Sequence, residues 1–404
     1  MGQGGKVKIY NNTDSRMIKH YEHSYQMDSW SFPDTIEAGK IADVYVEWDE
    51  GIFKTEADDA GEVFYHLEKD KNKEIEIHMW NCDEKNFEVT RKGFPGRSSA
   101  PEKQIWKHDG IMPIDVIDKK IDLRKWMSMV DDNTPINKMS IPGTHDALTY
   151  HLPYAVPPAY EMAKCQKLNI SEQMEAGCRF FDLRFNHELK GRHGNGPALF
   201  AIDCADGLKE VMEAAREFLG KNSEETLFMR MQLEGKDSEN KADETYEKNI
   251  KEIYEKYKDM FWKNPNGSAF PVLNDVRGKI VVLDNLSGHF FSSNNFGYDY
   301  GSGIFFIQDD CDDPEKEVKY NEIVENSKKP YDSSKMKVNY ISANSGKMYP
   351  FDWWPEKYAD YLNPRVINFF TGEAIQNDYV LGIIVFDFYD EDCGSAVISN
   401  NSFK

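Results

Sequence analysis

The hydrophobic repeat changes its period once along this chain of 404 residues, and that change restricts the fold more than any other feature. From Lys6 to about Val89 the segments VKIY, DVYVEW, EVFYHL and IEIHMW alternate apolar with polar residues and are separated by Asn, Asp, Gly and Pro. A period of two bounded by turn residues is the mark of half-buried antiparallel strands, so residues 1–92 are predicted to form a small all-β sandwich. The stretch TRKGFPGRSSAPEKQ that follows is basic and rich in Pro, Gly and Ser, and on that composition residues 93–121 are assigned to a linker.

Beyond Asp122 apolar strands alternate with amphipathic helices. Leu208, Val211, Met212, Ala215, Phe218 and Leu219 recur at helical spacing, with Gly220 expected as the C-terminal cap, and the strand TLFMRMQL follows at once. A second helix places Tyr246, Ile250, Ile253, Tyr254, Tyr257 and Phe261 on one face, ahead of the strand KIVVLDN. KVNYISANS and YVLGIIVFDFY close the series. Such alternation over residues 122–404 predicts an α/β unit with a parallel sheet or barrel, whose chemistry gathers at the C-terminal ends of the strands.

Composition removes several function classes. A hydrophobic content of 40% supports sizeable cores, yet no apolar run approaches the roughly 20 residues needed to span a bilayer. A formal charge of -21 repels nucleic-acid phosphates, so nucleic acid is not an expected partner, and membrane contact must rest on aromatic insertion or local basic spots. The six cysteines Cys82, Cys165, Cys178, Cys204, Cys311 and Cys393 form no CxxC pair, which argues against a zinc site and leaves room for one or two disulfides. The opening MGQGGKVKIYNN has no apolar secretory core, so the expectation is a soluble chain, secreted or cytoplasmic, with peripheral membrane contact.

Four constellations carry chemistry. In SIPGTHDAL an apolar step runs into Pro142 and Gly143 and then presents His145 and Asp146 at a strand end. In GCRFFDLRFN, Asp182 and Arg184 alternate with Phe181, Leu183 and Phe185, so both polar side chains share one side of a strand, the expected barrel interior. In RHGNGP, His193 stands beside Gly194 in a short loop, ahead of a helix expected to start near Asp206. In IIVFDFYDED, Asp387 ends the final strand. Taken singly, each has an ordinary reading: a His-Asp doublet is more often structural than catalytic, an Arg two residues after an Asp is usually a salt bridge, and an Asp ending a strand is usually a turn former. Together they supply what phosphoryl transfer without a metal requires. One imidazole accepts a proton from the attacking hydroxyl, a second protonates the departing alkoxide, carboxylates orient both rings, and a guanidinium holds the phosphate.

SIPGTHDAL, GCRFFDLR and the HG after it resemble the catalytic X-domain of phosphatidylinositol-specific phospholipase C in its bacterial and fungal, metal-independent form. The resemblance extends through WMSMVDDNTPINKMSIPGTHD, CQKLNISEQMEAGCRFFDLR, DVRGKIVVLDNLSG, the NSG of ISANSG and LGIIVFDFYD, and so covers about residues 122 to 404. It implies a distorted (βα) TIM-like barrel that cleaves the glycerol-side phosphoester bond by attack of an inositol hydroxyl, giving a cyclic phosphodiester. On matching positions it implies His145 as general base oriented by Asp387, His193 as general acid paired with Asp146, and Arg184 on the phosphate with Asp182 in support. His187 is the alternative acid. The calcium-dependent relatives have an acidic ligand where this chain has Arg184, and Asn where it has Asp146, so the resemblance implies neither metal nor cofactor.

Head-group positions depart from the family. Asp309 in FIQDDCDD matches an inositol-binding Asp, whereas Cys311 replaces a stacking Tyr, and Gln232 and Leu233 stand where the family has an inositol-binding Lys. Asp309 and Gln232 are the expected substrate-binding residues. Tyr349, Phe351, Trp353 and Trp354 in KMYPFDWWPEKY form an aromatic cluster apt for a lipid interface or for packing under a loop, and Trp353 and Trp354 are the membrane-contact candidates. The segment IYNNTDSRMIKHYEHSYQMDSWSFPDTIEAGK resembles small fungal β-sandwich modules that bind lipids or glycans. The expected partner is a phospholipid or glycolipid at a membrane surface, met by a monomer. Two other readings stay open: a phosphodiesterase of the same fold for another head group, and an inactive lipid- or glycan-binding protein.

Overall fold

The computed structural model describes residues 4–49, 59–81, 84–94, 101–106, 108–118, 121–153, 159–194, 202–235, 241–264, 270–286, 288–345, 354–375 and 377–403. The chain divides into two compact units, one of residues 1–121 with 367–378, the other of residues 122–366 with 379–404.

Among the described residues the first unit is all-β apart from its C-terminal contribution. One sheet joins, in spatial order, Ile111–Val116, Gly4–Asn11, Ile41–Trp48 and Met27–Ser29, and the other joins Thr35–Ile36, Met17–Tyr25, Ala60–Leu67, Glu74–Trp80, Asn86–Lys92 and Glu102–Ile105. Val7, Ile9, Val44 and Val46 from the first sheet share one core with Val63, Tyr65, Ile75, Ile77, Phe87 and Val89 from the second. Strict in-out alternation produces that core: every second residue of Ala60–Leu67 is buried.

Two findings correct the reading of the boundary. Residues 93–121, assigned to a linker, contain the strands Glu102–Ile105 and Ile111–Val116, and the latter pairs in parallel with Gly4–Asn11. Composition obscured them: the run of Pro, Gly and Ser dominates the window, while Met112, Ile114 and Val116 bury themselves at a period of two. Arg91, in the basic stretch TRKGFPGRSSAPEKQ, is buried, and its Nη2 lies 3.0 Å from Asp115 Oδ1. The second correction is that Ile367–Asp378, inside the span 122–404, packs with the first unit. Asn12 Nδ2 donates to Thr371 O at 2.9 Å, and Arg91 Nη2 donates to Asn368 Oδ1 at 3.3 Å. An apolar helical stripe shows that a segment is buried, not which core buries it.

Among the described residues the second unit is built on eight parallel strands: β1 (Ser140–Thr144), β2 (Phe180–Phe185), β3 (Leu227–Leu233), β4 (Ile280–Asn285), β5 (Tyr298–Asp299), β6 (Phe305–Gln308), β7 (Met336–Tyr340) and β8 (Gly382–Phe386). They pair in chain order from β1 to β5 and from β6 to β8, and β8 returns to pair with β1. Among the described residues no pairing joins β5 to β6, so the cyclic order has one gap. Helix Leu208–Lys221 buries the six residues read from its periodicity, but Gly220 lies inside it and Asn222 is the cap. The helix begins at Leu208 because Ile202–Gly207, including Asp206, is a strand paired with Lys190–His193. The five described cysteines, Cys165, Cys178, Cys204, Cys311 and Cys393, are free thiols, and Cys82 lies outside the described residues. No helix among the described residues is long and apolar enough to cross a membrane.

Candidate active site

The C-terminal ends of β1, β2, β3 and β8 bring the polar residues together. β1 comes close to β2 through Gly143: a Cβ there would lie 2.6 Å from the Phe180 ring of the paired strand, so a side chain at 143 would separate the two strands. The chain then turns through Asp146 at φ +41°, a left-handed conformation that Asp adopts more readily than most residues. That turn sends His145 and Asp146 into the same space. Gln166, fully buried, fixes the turn: its Nε2 donates to His145 O at 2.7 Å and to Phe386 O at 2.9 Å, and its Oε1 accepts from Tyr389 N at 3.2 Å.

His145 is held at both ring nitrogens. Its Nδ1 lies 2.7 Å from Asp387 Oδ1, just past β8, and its Nε2 lies 2.8 Å from Arg184 Nη2. A guanidinium N–H can approach Nε2 only if that nitrogen has a free lone pair, so the geometry is that of an imidazole with its proton on Nδ1 facing Asp387. Opposing forces act on this ring. Burial disfavours its charged form, but Asp387 and then Asp146 outweigh burial and the opposing Arg184, and its pKa is pushed up to about 9.

Asp146 connects the two histidines. Its Oδ2 lies 2.6 Å from His193 Nδ1 and 3.5 Å from His145 Nε2, and its Oδ1 lies 2.8 Å from Arg184 Nε. Burial alone would raise its pKa, but Arg184, His145 and His193 hold it well below the usual carboxylate range. Asp182, fully buried, accepts from Arg184 Nε at 3.2 Å and from Nη2 at 3.0 Å through one oxygen, and from Arg230 Nη1 at 2.6 Å through the other. Arg184 Nη1 points elsewhere: Glu234 Oε1 is 3.6 Å away, beyond hydrogen-bond distance. Burial pushes the Asp387 carboxyl up despite the neighbouring His145.

His193 closes its hairpin strand instead of lying in an open loop. His187 is engaged away from this centre, with its Nδ1 2.8 Å from Asp243 Oδ2. Gln232 lies on β3 with its amide committed: Oε1 accepts from Arg230 Nη2 and from Asn285 Nδ2 at 2.8 Å, and Nε2 donates to Glu234 Oε2 at 2.9 Å. Asp309 is exposed directly after β6, close enough for its charge to act on Tyr300 and Tyr340. Trp354 is half-buried at the start of helix Pro355–Phe369, and Trp353, Tyr349 and Phe351 lie outside the described residues.

Sequence reasoning passed over Arg230, Glu234 and Gln166. The first two carried a usable signal: Arg230, Gln232 and Glu234 recur at a period of two and so face the same side as Asp182 and Arg184. Gln166 carried none, because its partners are backbone groups of His145, Phe386 and Tyr389, distant along the chain.

Among the described residues one trio has ligand-type atoms grouped within 4.8 Å: His145, Asp146 and Cys165. Burial, then Asp387 and Asp146, push the Cys165 thiol far up, which disfavours the thiolate in this site.

Comparison with known proteins places this arrangement among relatives. Residues 139–285 match the family described as phosphatidylinositol-specific phospholipase C, X domain. A 1-phosphatidylinositol phosphodiesterase of Listeria monocytogenes is 32% identical over 298 residues, covering 71% of this chain and 88% of the relative. A protein of the same description from Staphylococcus aureus is 25% identical over 267 residues, covering 60% of this chain and 81% of that one. The solved structure of a phosphatidylinositol-specific phospholipase C from Listeria monocytogenes superposes with a TM-score of 0.60 at 30% identity, over 70% of this chain and 100% of that structure.

Proposed function

This chain belongs to the phosphatidylinositol-specific phospholipase C X-domain family, and from that premise we propose that it cleaves phosphatidylinositol, or a glycophospholipid built on it, at the phosphodiester. The gapped ring of eight strands is read as a distorted TIM-like barrel with the site at its mouth. One observation carries the mechanism: two histidines share Asp146, one of them is backed by Asp387, and a guanidinium that meets His145 and Asp146 keeps Nη1 outside hydrogen-bond distance of Glu234.

The substrate's attacking hydroxyl takes the place of Arg184 at Nε2 of His145, which accepts its proton while Asp387 holds Nδ1. The hydroxyl oxygen forms a bond to phosphorus and the bond from phosphorus to the glycerol oxygen breaks. Protonated His193, steadied at Nδ1 by Asp146, donates its proton to the departing alkoxide. The products are diacylglycerol and an inositol cyclic phosphate. Arg184 Nη1 binds a phosphate oxygen and stabilises the charge that gathers there.

Arg184 also takes the part a divalent cation would play. Asp146, Asp182 and Glu234 surround its guanidinium at 2.8, 3.0 and 3.6 Å, so the carboxylates that would have to ligate a calcium ion already face a fixed positive charge. Phosphorus NMR of phosphatidylinositol vesicles treated with the protein in excess EDTA tests this reading. A cyclic phosphodiester resonance growing at the same rate with and without EDTA is expected. Loss of turnover in EDTA would return the role to a metal, and no product with or without calcium would overturn the reading.

A further inference from the structure

Within that functional reading, we propose that Arg230 is a positioning residue for the site: it holds Asp182, and through Asp182 it fixes the guanidinium of Arg184 with Nη1 turned toward the phosphate. β3 sets Arg230 directly across from Asp182 in the β2–β3 register. Its Nη1 donates to Asp182 Oδ1 at 2.6 Å, while Asp182 Oδ2 takes both hydrogen bonds from Arg184. The buried carboxylate is thereby divided, one oxygen for each guanidinium.

The division matters because carboxylates and guanidiniums prefer to meet fork to fork. Without Arg230, Asp182 Oδ1 would be a buried acceptor with its partner gone, and the nearest remaining cation is Arg184. Arg184 would turn to engage both oxygens, drawing Nη1 away from the position it offers to substrate. Arg230 is itself too deeply buried to offer the substrate much contact. Only 9% of it is exposed, Nη1 serves Asp182, Nη2 serves Gln232, and Nε is buried without a hydrogen-bond partner. Its guanidinium lies 4.9 Å from the centre of the Tyr300 ring, the Tyr300 hydroxyl lies 3.4 Å from that of Tyr340, and the Tyr340 ring stands edge-on to His145 at 6.2 Å. Those contacts form a continuous wall from Arg230 around to the base.

The test compares the full chain with Arg230→Met and Arg230→Lys on phosphatidylinositol and on its two phosphorothioate diastereomers, in which sulfur replaces one or the other non-bridging oxygen. Misplacing Arg184 should lower kcat by roughly 10- to 100-fold in Arg230→Met with KM changed by less than about 3-fold, and should erode the wild-type preference between diastereomers. Arg230→Lys should recover part of both. A merely structural role lowers the active fraction for all substrates alike, so an intact diastereomer preference in Arg230→Met overturns the proposal, as does full activity. If the wild type has no turnover, the functional reading fails separately. The positioning claim is then decided by the Arg184 Nε–H resonance in nitrogen-15 NMR, whose shift must change in Arg230→Lys; an unchanged resonance overturns it.

Discussion

Arg179 and Arg184, five residues apart at opposite ends of β2, put the same side chain to opposite uses. Arg179, at the bottom, is fully buried with every N–H engaged. Its Nε meets Glu225 Oε2 at 2.8 Å, Nη1 donates to Met174 O and Cys178 O at 2.8 Å, and Nη2 donates to Leu123 O and Arg124 O at 3.0 Å. Arg184, at the top, is ringed by Asp146, Asp182 and His145 yet keeps Nη1 outside hydrogen-bond range of Glu234. A structural arginine consumes its donors in closing the fold, while one suited to binding an anion keeps a rigidly held donor in reserve. The electrostatics agree. Burial pushes Glu225 up even with Arg179 against it, whereas Asp146 beside Arg184 is held far down.

The sharpest way to break this comparison is Arg179→Met. It strands Glu225 in the base of the unit and should cost about 3 to 5 kcal/mol of stability in urea unfolding, while turnover per folded molecule stays within about twofold. Activity falling faster than the folded fraction would erase the distinction. Arg184→Met should fall on the chemistry instead: kcat per folded molecule lower by about 10²- to 10³-fold, worth about 3 to 4 kcal/mol of transition-state stabilisation, beyond whatever the unpaired Asp146 and Asp182 cost in stability. Arg184→Lys should recover little, since an ammonium lacks the planar fork that meets Asp146 and Asp182 while presenting a donor to the phosphate.

A smaller effect concerns pH. A base must be unprotonated to act, so kcat/KM should rise with pH along a limb set by His145, whose pKa in the free site is about 9. Asp387 is the largest charge raising that value, so Asp387→Asn should move the limb to lower pH and lower its plateau by roughly 10- to 100-fold as the base weakens. A limb that stays put would mean that Asp387 does not tune His145.

The sequence showed the top of β2 more clearly than its bottom, for a physical reason. Strand alternation alone puts Asp182 and Arg184 on one side, and a strand end presents His145, Asp146 and Asp387, so local pattern suffices to group them. Arg179 appears in the same motif, but its partner Glu225 is 46 positions away and its other acceptors are carbonyls, which no side-chain pattern encodes. The same limit hid Gln166. Arg230 was legible, since it shares the period of Gln232, but attention fell on the position that departs from the family. In the first unit, alternation revealed the strands before residue 93, while a Pro/Gly/Ser-rich window masked Ile111–Val116. The choice of His193 over His187 rested on adjacency to Gly194; the geometry gives Asp146 to His193 and Asp243 to His187.

The most direct test of the acid-base assignment removes the need for the acid. A substrate whose leaving group is nitrophenolate departs without a proton, so it requires His145 but not His193. Turnover of that substrate should be nearly normal in His193→Ala and abolished in His145→Ala, while both variants are inactive on phosphatidylinositol. Equal loss in the two variants on the activated substrate would contradict the account.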